Sequence, residues 1–211
     1  MRVAVFGANG STGREVVAAC KAAGHEVTAA VRRPETMEGV GGIEVAEINL
    51  RDHASLVAAL RGADALVSCL GHGGVRESSK PTTLYSDSTR AYRAAMRKAG
   101  CGRILVLSSG GTVHDEAAPW FYLALLRKQL VNTYLDMARM ETILEETDDL
   151  DWTAIRLTYL KDGEPKPFLV REGKIGEGKF TIHYPDVGAF VAKELTERAW
   201  IGKHPVLGHP D

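Results

Sequence analysis

The sequence predicts an α/β fold in which helices cover both faces of a parallel, doubly wound sheet. Three observations predict it. Apolar runs of strand length alternate with stretches of helical period along the 211 residues, an alternation that demands parallel strands joined by right-handed crossovers. The first apolar run ends in a glycine cluster that opens the first helix. No internal repeat, low-complexity tract or linker breaks the pattern, so 1–211 reads as one domain of ordinary size.

Each element has its own warrant. Val3 to Phe6 is a short apolar run, as in a strand buried on both faces. Glu15 to Ala23 sets Val16, Val17, Ala19, Cys20 and Ala23 at helical spacing, and Gly24 sits where a helix C′ residue belongs. Val27 to Val31 predicts strand two, and Ile43 to Ala46 a weaker strand three. Asp52 predicts the N-cap of a short helix that carries Leu56, Ala59 and Leu60 and closes at Gly62. Ala65 to Leu70 reads as strand four and Arg103 to Leu107 as strand five. Between them a helix with Tyr92 and Met96 on one face ends near Gly100. Ala117 to Glu146 looks helical in two pieces, and Trp152 to Leu157 is strand six. Glycines and prolines fill Lys161 to Lys179, which predicts a loop with at most a short strand near Phe168 to Val170. Asp186 is expected to cap a last helix through Leu195, and Val206 with Leu207 to add a final strand. A small substrate region is expected mainly from 111–130 and 157–184.

Composition excludes several functions. Net charge is −1 and no basic run is interleaved with aromatics, so nothing favours nucleic acid or an anionic membrane. The apolar run before Gly7 is too short for a signal-peptide core, and Trp120 to Leu126 is too short to span a bilayer. Cys20, Cys69 and Cys101 are odd in number and irregularly spaced, which reads as reduced thiols and a cytoplasmic protein. No Cys-x-x-Cys or His-x-x-x-His pair occurs, and no metal is expected. The expected assembly is a monomer or homodimer.

The candidate site begins at Gly7-Ala8-Asn9-Gly10-Ser11-Thr12-Gly13. Gly7 permits the tight turn, Gly10 lets backbone approach a diphosphate, and Gly13 lets helix pack close to strand. The N–H groups of Ser11, Thr12 and Gly13 would face the phosphates, aided by the helix dipole. A buried strand before the turn and an amphipathic helix after it are the context in which a dinucleotide site is expected of a Rossmann-type fold. At the end of strand two, where an NAD enzyme usually carries an acid, stand Arg32 and Arg33. Paired guanidinium groups suit a 2′-phosphate, so NADP(H) is the expected cofactor. Asn49 and Leu50, after strand three, are expected at the adenine. Cys69, Leu70 and Gly71, after strand four, are expected near a ribose, with Cys69 chiefly a core thiol.

These residues resemble the atypical short-chain dehydrogenase/reductase family. The resemblance is strongest to the branch that contains biliverdin-IXβ reductase, an NADPH-dependent flavin reductase, and to the NmrA-like NAD(P)-binding proteins. It covers nearly the whole chain and rests on Val5 to Gly13, Val31-Arg32-Arg33, Leu70-Gly71, Ala94 to Gly100, Val106-Leu107-Ser108-Ser109 and Arg139-Met140. What the resemblance implies is hydride transfer from NADPH to a planar acceptor such as a flavin, a biliverdin-like tetrapyrrole or a quinone. It implies a nicotinamide pocket beside Ser108 and Ser109, with Leu157 and Thr158 counted among the cofactor contacts. Where the branch has a histidine after strand six, this sequence carries Tyr159.

Catalytic candidates are few. Orthodox short-chain dehydrogenases use a tyrosine with a lysine four residues on, which lowers the phenol pKa. No tyrosine here has that lysine: Tyr134 has Ala138 at the position, and Arg139 is rotated about 100° further round the helix. Ser109 is the expected active-site hydroxyl, with Ser108 beside it and Tyr159 as proton donor or stacking surface; a Ser-Ser-Gly-Gly turn explains the serines equally well. Trp120, Phe121 and Tyr122 are candidates for a pocket wall, a subunit contact or core filling, the last being commonest. His72, His114 and His183 receive no role. A non-enzymatic NADP(H) sensor of NmrA type stays open beside the reductase, since the missing dyad fits both. A nucleotide-sugar epimerase or dehydratase needs a larger C-terminal domain than this chain has.

Overall fold

Every apolar run read above as a strand lies in one sheet. The computed structural model describes residues 1–71, 79–115, 118–119 and 127–210. β1 (Arg2–Phe6) leads into α1 (Ser11–Ala22), then β2 (Glu26–Val31), β3 (Glu44–Glu47), α2 (His53–Ala59), β4 (Ala65–Ser68), α3 (Leu84–Ala99) and β5 (Arg103–Ser109). One helical turn, Arg127–Gln129, precedes α4 (Val131–Glu145). Then follow β6 (Asp151–Leu157), β7 (Tyr159–Lys161), β8 (Leu169–Glu172), β9 (Thr181–His183), α5 (Tyr184–Glu197) and β10 (Pro205–Gly208).

The main sheet has the order β3-β2-β1-β4-β5-β6-β10-β8, and its strands are parallel except β8, which runs antiparallel to β10. Strand order reverses between β1 and β4, the switch point at whose carboxyl end such sheets bind ligands. Alternation along β1 explains the layers. Val3 and Val5 join the core beneath α1 and α5, with Val16, Val17, Phe190 and Val191. Ala4 and Phe6 join the opposite core beneath α2, α3 and α4, with Leu56, Tyr92, Met96 and Leu144. Asp52 caps α2 as predicted, accepting from the Ala54 N–H at 3.0 Å. The cap of α3 comes from elsewhere. Asp136, wholly buried on α4, accepts from the Tyr85 and Ser86 N–H groups and from the Ser86 hydroxyl, satisfying donors that the helix start leaves open.

Four expectations are corrected. β5 runs two residues past Leu107, because Ser108 and Ser109 pair in register with Arg156 and Leu157 of β6, and the Gly110–Thr112 turn is capped by Ser109. β4 stops at Ser68, before Cys69 and Leu70. Asp186 does not cap α5: His183 holds the cap position, and the Asp186 carboxylate accepts from the Lys166 N–H at 2.9 Å and pairs with His209 at 2.8 Å. The residues on either side of the glycine-rich stretch also pair, as a second, two-stranded parallel sheet of β7 and β9, which no apolar run announces. Among the described residues no helix is long and apolar enough to cross a membrane.

Candidate functional site

The glycine turn closes on its own backbone in two places and is open in a third. Gly7 adopts φ +77, and a Cβ there would stand 2.8 Å from the Cys69 carbonyl oxygen. A Cβ on Gly13 would meet the Gly7 carbonyl oxygen at 2.2 Å. Both glycines are thus required by the protein's own packing. Gly10 is not: a Cβ there would find only the Gly7 oxygen at 3.5 Å, an ordinary contact. Gly10 is also the N-cap of α1, supplies no side-chain cap, and is followed by a first turn without an acid. An uncapped, exposed helix start beside a position with room to spare fits the diphosphate of a dinucleotide. The residues present therefore fit such a cofactor.

The neighbouring loops converge on this turn. The Gly7 N–H donates to Ala30 of β2, and the Cys69 N–H donates to Phe6 of β1. Arg14, not anticipated from the sequence, donates to the carbonyl oxygens of Asn9 at 3.3 Å and Thr36 at 2.6 Å, bracing the turn against the loop after β2. Asn9, Ser11, Arg32 and Arg33 are exposed, and Thr12 is half-buried. Asn49 is exposed with its side-chain oxygen accepting from the Arg51 N–H, and Leu50 is half-buried against the α2–α3 core. Cys69 and Leu70 are half-buried and Gly71 is exposed. Burial pushes the Cys69 pKa up, so its sulfur is a thiol that packs rather than a nucleophile.

At the end of β5 the two serines part company. The Ser108 hydroxyl is buried and donates to Glu141 of α4 at 2.7 Å. Glu141 is held in turn by Arg156 through two bonds, of 3.0 and 2.8 Å. The Ser108 proton is thus directed into the molecule, toward α4. The Ser109 hydroxyl is half-buried and accepts from the Gly111 N–H at 3.1 Å, shaping the turn that follows while still bordering the sheet edge. The Thr158 hydroxyl is likewise buried and donates to the Leu207 carbonyl at 2.8 Å. Leu157 is buried, paired with Ser109. Tyr159 is 49% exposed, with the Lys161 ammonium 5.9 Å from its ring centroid.

The region beyond the ends of β5 and β6 is assembled by residues the sequence reading passed over. Buried Asp115 accepts from the N–H groups of Ile175 at 2.6 Å and Gly176 at 3.1 Å. Arg156 donates to the Gly173 carbonyl at 2.9 Å. Phe180 lies so close to Gly110 that a Cβ there would meet its ring at 3.1 Å. Nothing local in the sequence marks Asp115 or Phe180. Trp120, Phe121 and Tyr122, like His72, lie outside the described residues.

A doubly wound parallel sheet with an open phosphate turn at its switch point defines a nucleotide-binding protein of Rossmann type. The model of the NAD(P)H-binding family matches residues 7–198, and the chain belongs to that family. The chain is 34% identical over 111 residues to a Mycobacterium tuberculosis protein of which it spans only 12%. It is 25% identical over 189 residues to YwnB of Bacillus subtilis, covering 86% of this chain and 81% of that one. Pinoresinol reductase 2 of Arabidopsis thaliana is 37% identical over 94 residues, 39% of this chain and 29% of that protein. Among solved structures, one described as an NADH-flavin reductase of Streptococcus pneumoniae superposes with a TM-score of 0.78 at 21% identity, covering 99% of each chain. One described as an NAD-dependent epimerase/dehydratase of Bacillus halodurans superposes with 0.77 at 25% identity, over 100% of this chain and 95% of that one.

Proposed function

We propose that the protein is an NADPH-dependent reductase that passes hydride to a planar conjugated acceptor, of the flavin, biliverdin-like or quinone kind. The observation that carries the cofactor is the open glycine turn flanked by Arg14, Arg32 and Arg33. Arg32 and Arg33 are exposed, and no described ion pair engages either. Guanidinium groups in that place favour a phosphorylated ribose. Bound NADPH supplies the hydride; the protein's task is to hold ring against ring.

The acceptor class follows from what the site lacks. The orthodox Tyr–Lys pair is missing from the sequence and the Ser108 proton is committed to Glu141, while Ser109, which accepts from the Gly111 N–H, keeps its own proton to orient an acceptor. A conjugated planar acceptor spreads the arriving negative charge over its ring system and takes its proton from water, so it asks for positioning more than for acid catalysis. Reductases among the relatives and neighbours accord with this reading.

Calorimetry with NADPH and NADH, followed by anaerobic mixing of the NADPH complex with flavins, biliverdins and quinones, tests it. The expected result is tighter NADPH binding and loss of reduced-nicotinamide absorbance with at least one acceptor class. Cofactor binding without oxidation by any of them would replace the reductase with a sensor of the NADP(H) state.

A further inference from the structure

We propose that His183, Asp186 and His209 form a binding site for a divalent transition metal of the zinc class at the carboxyl edge of the sheet. The three residues come from the end of β9, the first turn of α5 and the residue after β10. One donor atom from each can be chosen so that all lie within 4.8 Å of one another. Asp186 and His209 are 2% and 1% exposed, while His183 is only partly covered and opens the cluster to solvent. Carboxylates are seldom so buried unless paired or metal-bound.

Hydrogen bonds orient the set for a cation. His183 Nδ1 lies 2.9 Å from the Glu164 carbonyl oxygen. A carbonyl only accepts, so Nδ1 carries the proton and Nε2 keeps its lone pair. Metal-bound histidines are held by this outer contact. Asp186 uses Oδ1 to accept from the Lys166 N–H, which leaves Oδ2 as the donor to a metal. That oxygen is 2.8 Å from His209 Nε2, and the two imidazole centroids are 4.5 Å apart. In the metal-free protein the Nε2 proton of His209 bonds Asp186. On binding, that proton leaves Nε2 and Nδ1 gains one, facing the Thr181 hydroxyl 3.4 Å away. The ring stays neutral, and no net proton need be released from it.

Two imidazoles and one carboxylate are a donor set suited to zinc, and three protein ligands leave room for water. Zinc bonds of about 2.0–2.2 Å require donor atoms roughly 3.3–3.6 Å apart. Asp186 Oδ2 and His209 Nε2, 2.8 Å apart, must therefore part slightly, and small side-chain rotations within the 4.8 Å cluster must bring all three donors to that spacing. A bound ion would tie together β9, α5 and the chain after β10, the segments that frame the acceptor side. Only His183 and Asp186 are close in sequence, three residues apart, and the fold supplies His209 as the third ligand.

Chelator-treated protein titrated with Zn²⁺ by calorimetry and thermal unfolding, and with Co²⁺ by visible absorption, tests the site. One equivalent is expected to bind, raise the melting temperature and give cobalt ligand-field bands. His183→Ala should fold with a metal-free melting temperature near that of the parent, since the residue is partly exposed, yet bind about 10- to 100-fold more weakly or not at all. His204→Ala, at the separate His204–Glu145 pair, should leave binding unchanged. Absence of saturable one-to-one binding, or equal binding by His183→Ala, overturns the proposal. NADPH affinity measured on the same samples reads the cofactor site alone, so the two proposals fail separately.

Discussion

The two sides of the crevice are built by different means. On the cofactor side the contacts are short in sequence: Gly10 to Gly7, Arg14 to Asn9, Asn49 to Ser55, Asp52 to Ala54. On the opposite side, beyond β5 and β6, where we propose the acceptor enters, they are long and mostly buried. Asp115 reaches 60 residues to Ile175, and Thr158 reaches 49 to Leu207. The first side rests on backbone geometry that glycine and proline control. The second depends on carboxylates and guanidinium groups that are tolerable in the interior only because each has found its partner.

The largest effect is expected where long range and burial combine outside the crevice, at the amino-terminal edge of the sheet where β5 begins. Arg103 donates to Glu194 at 2.8 Å, Thr153 at 2.7 Å and the Asp151 carbonyl at 2.8 Å, with both ion-pair side chains at most 2% exposed. Burial pushes the Arg103 pKa down to about 10, which leaves it cationic at neutral pH. Glu194→Ala should therefore cost about 3–5 kcal/mol of unfolding free energy, since it strands a buried cation. Denaturant unfolding measures this, and a loss under about 1 kcal/mol would show that the pair is dispensable. Asp115→Ala should cost less, about 2–3 kcal/mol, for two N–H groups deprived of a charged acceptor. Proteolysis is expected to open the segment around Ile175 before the rest of the chain. Uniform loss of protection would mean that Asp115 supports the whole sheet instead of this one region.

The same contrast decides what could be read in advance. Period and glycine placement located β1, α1, β2, α2 and the phosphate turn, because each depends on neighbours a few residues away. They did not reveal Asp136 capping a helix 50 residues upstream, nor the β7–β9 pair, whose strands are three residues each. Ser108 reads as an active-site hydroxyl because it ends an apolar run; only the approach of Glu141 from α4 shows where its proton points. Asp186 was misread for a local reason. An aspartate just before an apolar helix resembles a cap, and its true partner, His209, carries no local signal.

Smaller effects sharpen the cofactor side. Gly10→Ala should leave stability within about 1 kcal/mol, because its Cβ has room. It should weaken NADPH binding about tenfold by standing where the diphosphate would approach. Unchanged affinity would remove Gly10 from the site. Arg32→Ala should weaken NADPH several-fold, about 1 kcal/mol for one exposed charge-assisted contact, and leave NADH nearly unchanged. Equal weakening of both would mean that Arg32 does not read the 2′-phosphate.

The smallest effect separates range from burial. Arg97 of α3 binds Asp149, 52 residues on, as the acceptor-side ties do, but at the surface, where the Arg97 side chain is 58% and that of Asp149 39% exposed. The Arg97 hydrogen bond, followed by its charge, holds the Asp149 carboxyl below its ordinary pKa of 3.8. A carboxylate depressed on folding adds stability that is fully present above its unfolded pKa and is lost as pH falls through the folded value. Arg97→Ala should therefore melt slightly below the parent at neutral pH, and the two curves should meet in strong acid, once Asp149 is protonated. Solvent screening keeps the neutral-pH gap small, and added salt should shrink it further. If the gap instead rivalled that of Glu194→Ala, sequence distance rather than burial would govern the polar ties, and the account of the acceptor side would have to be rebuilt on chain topology.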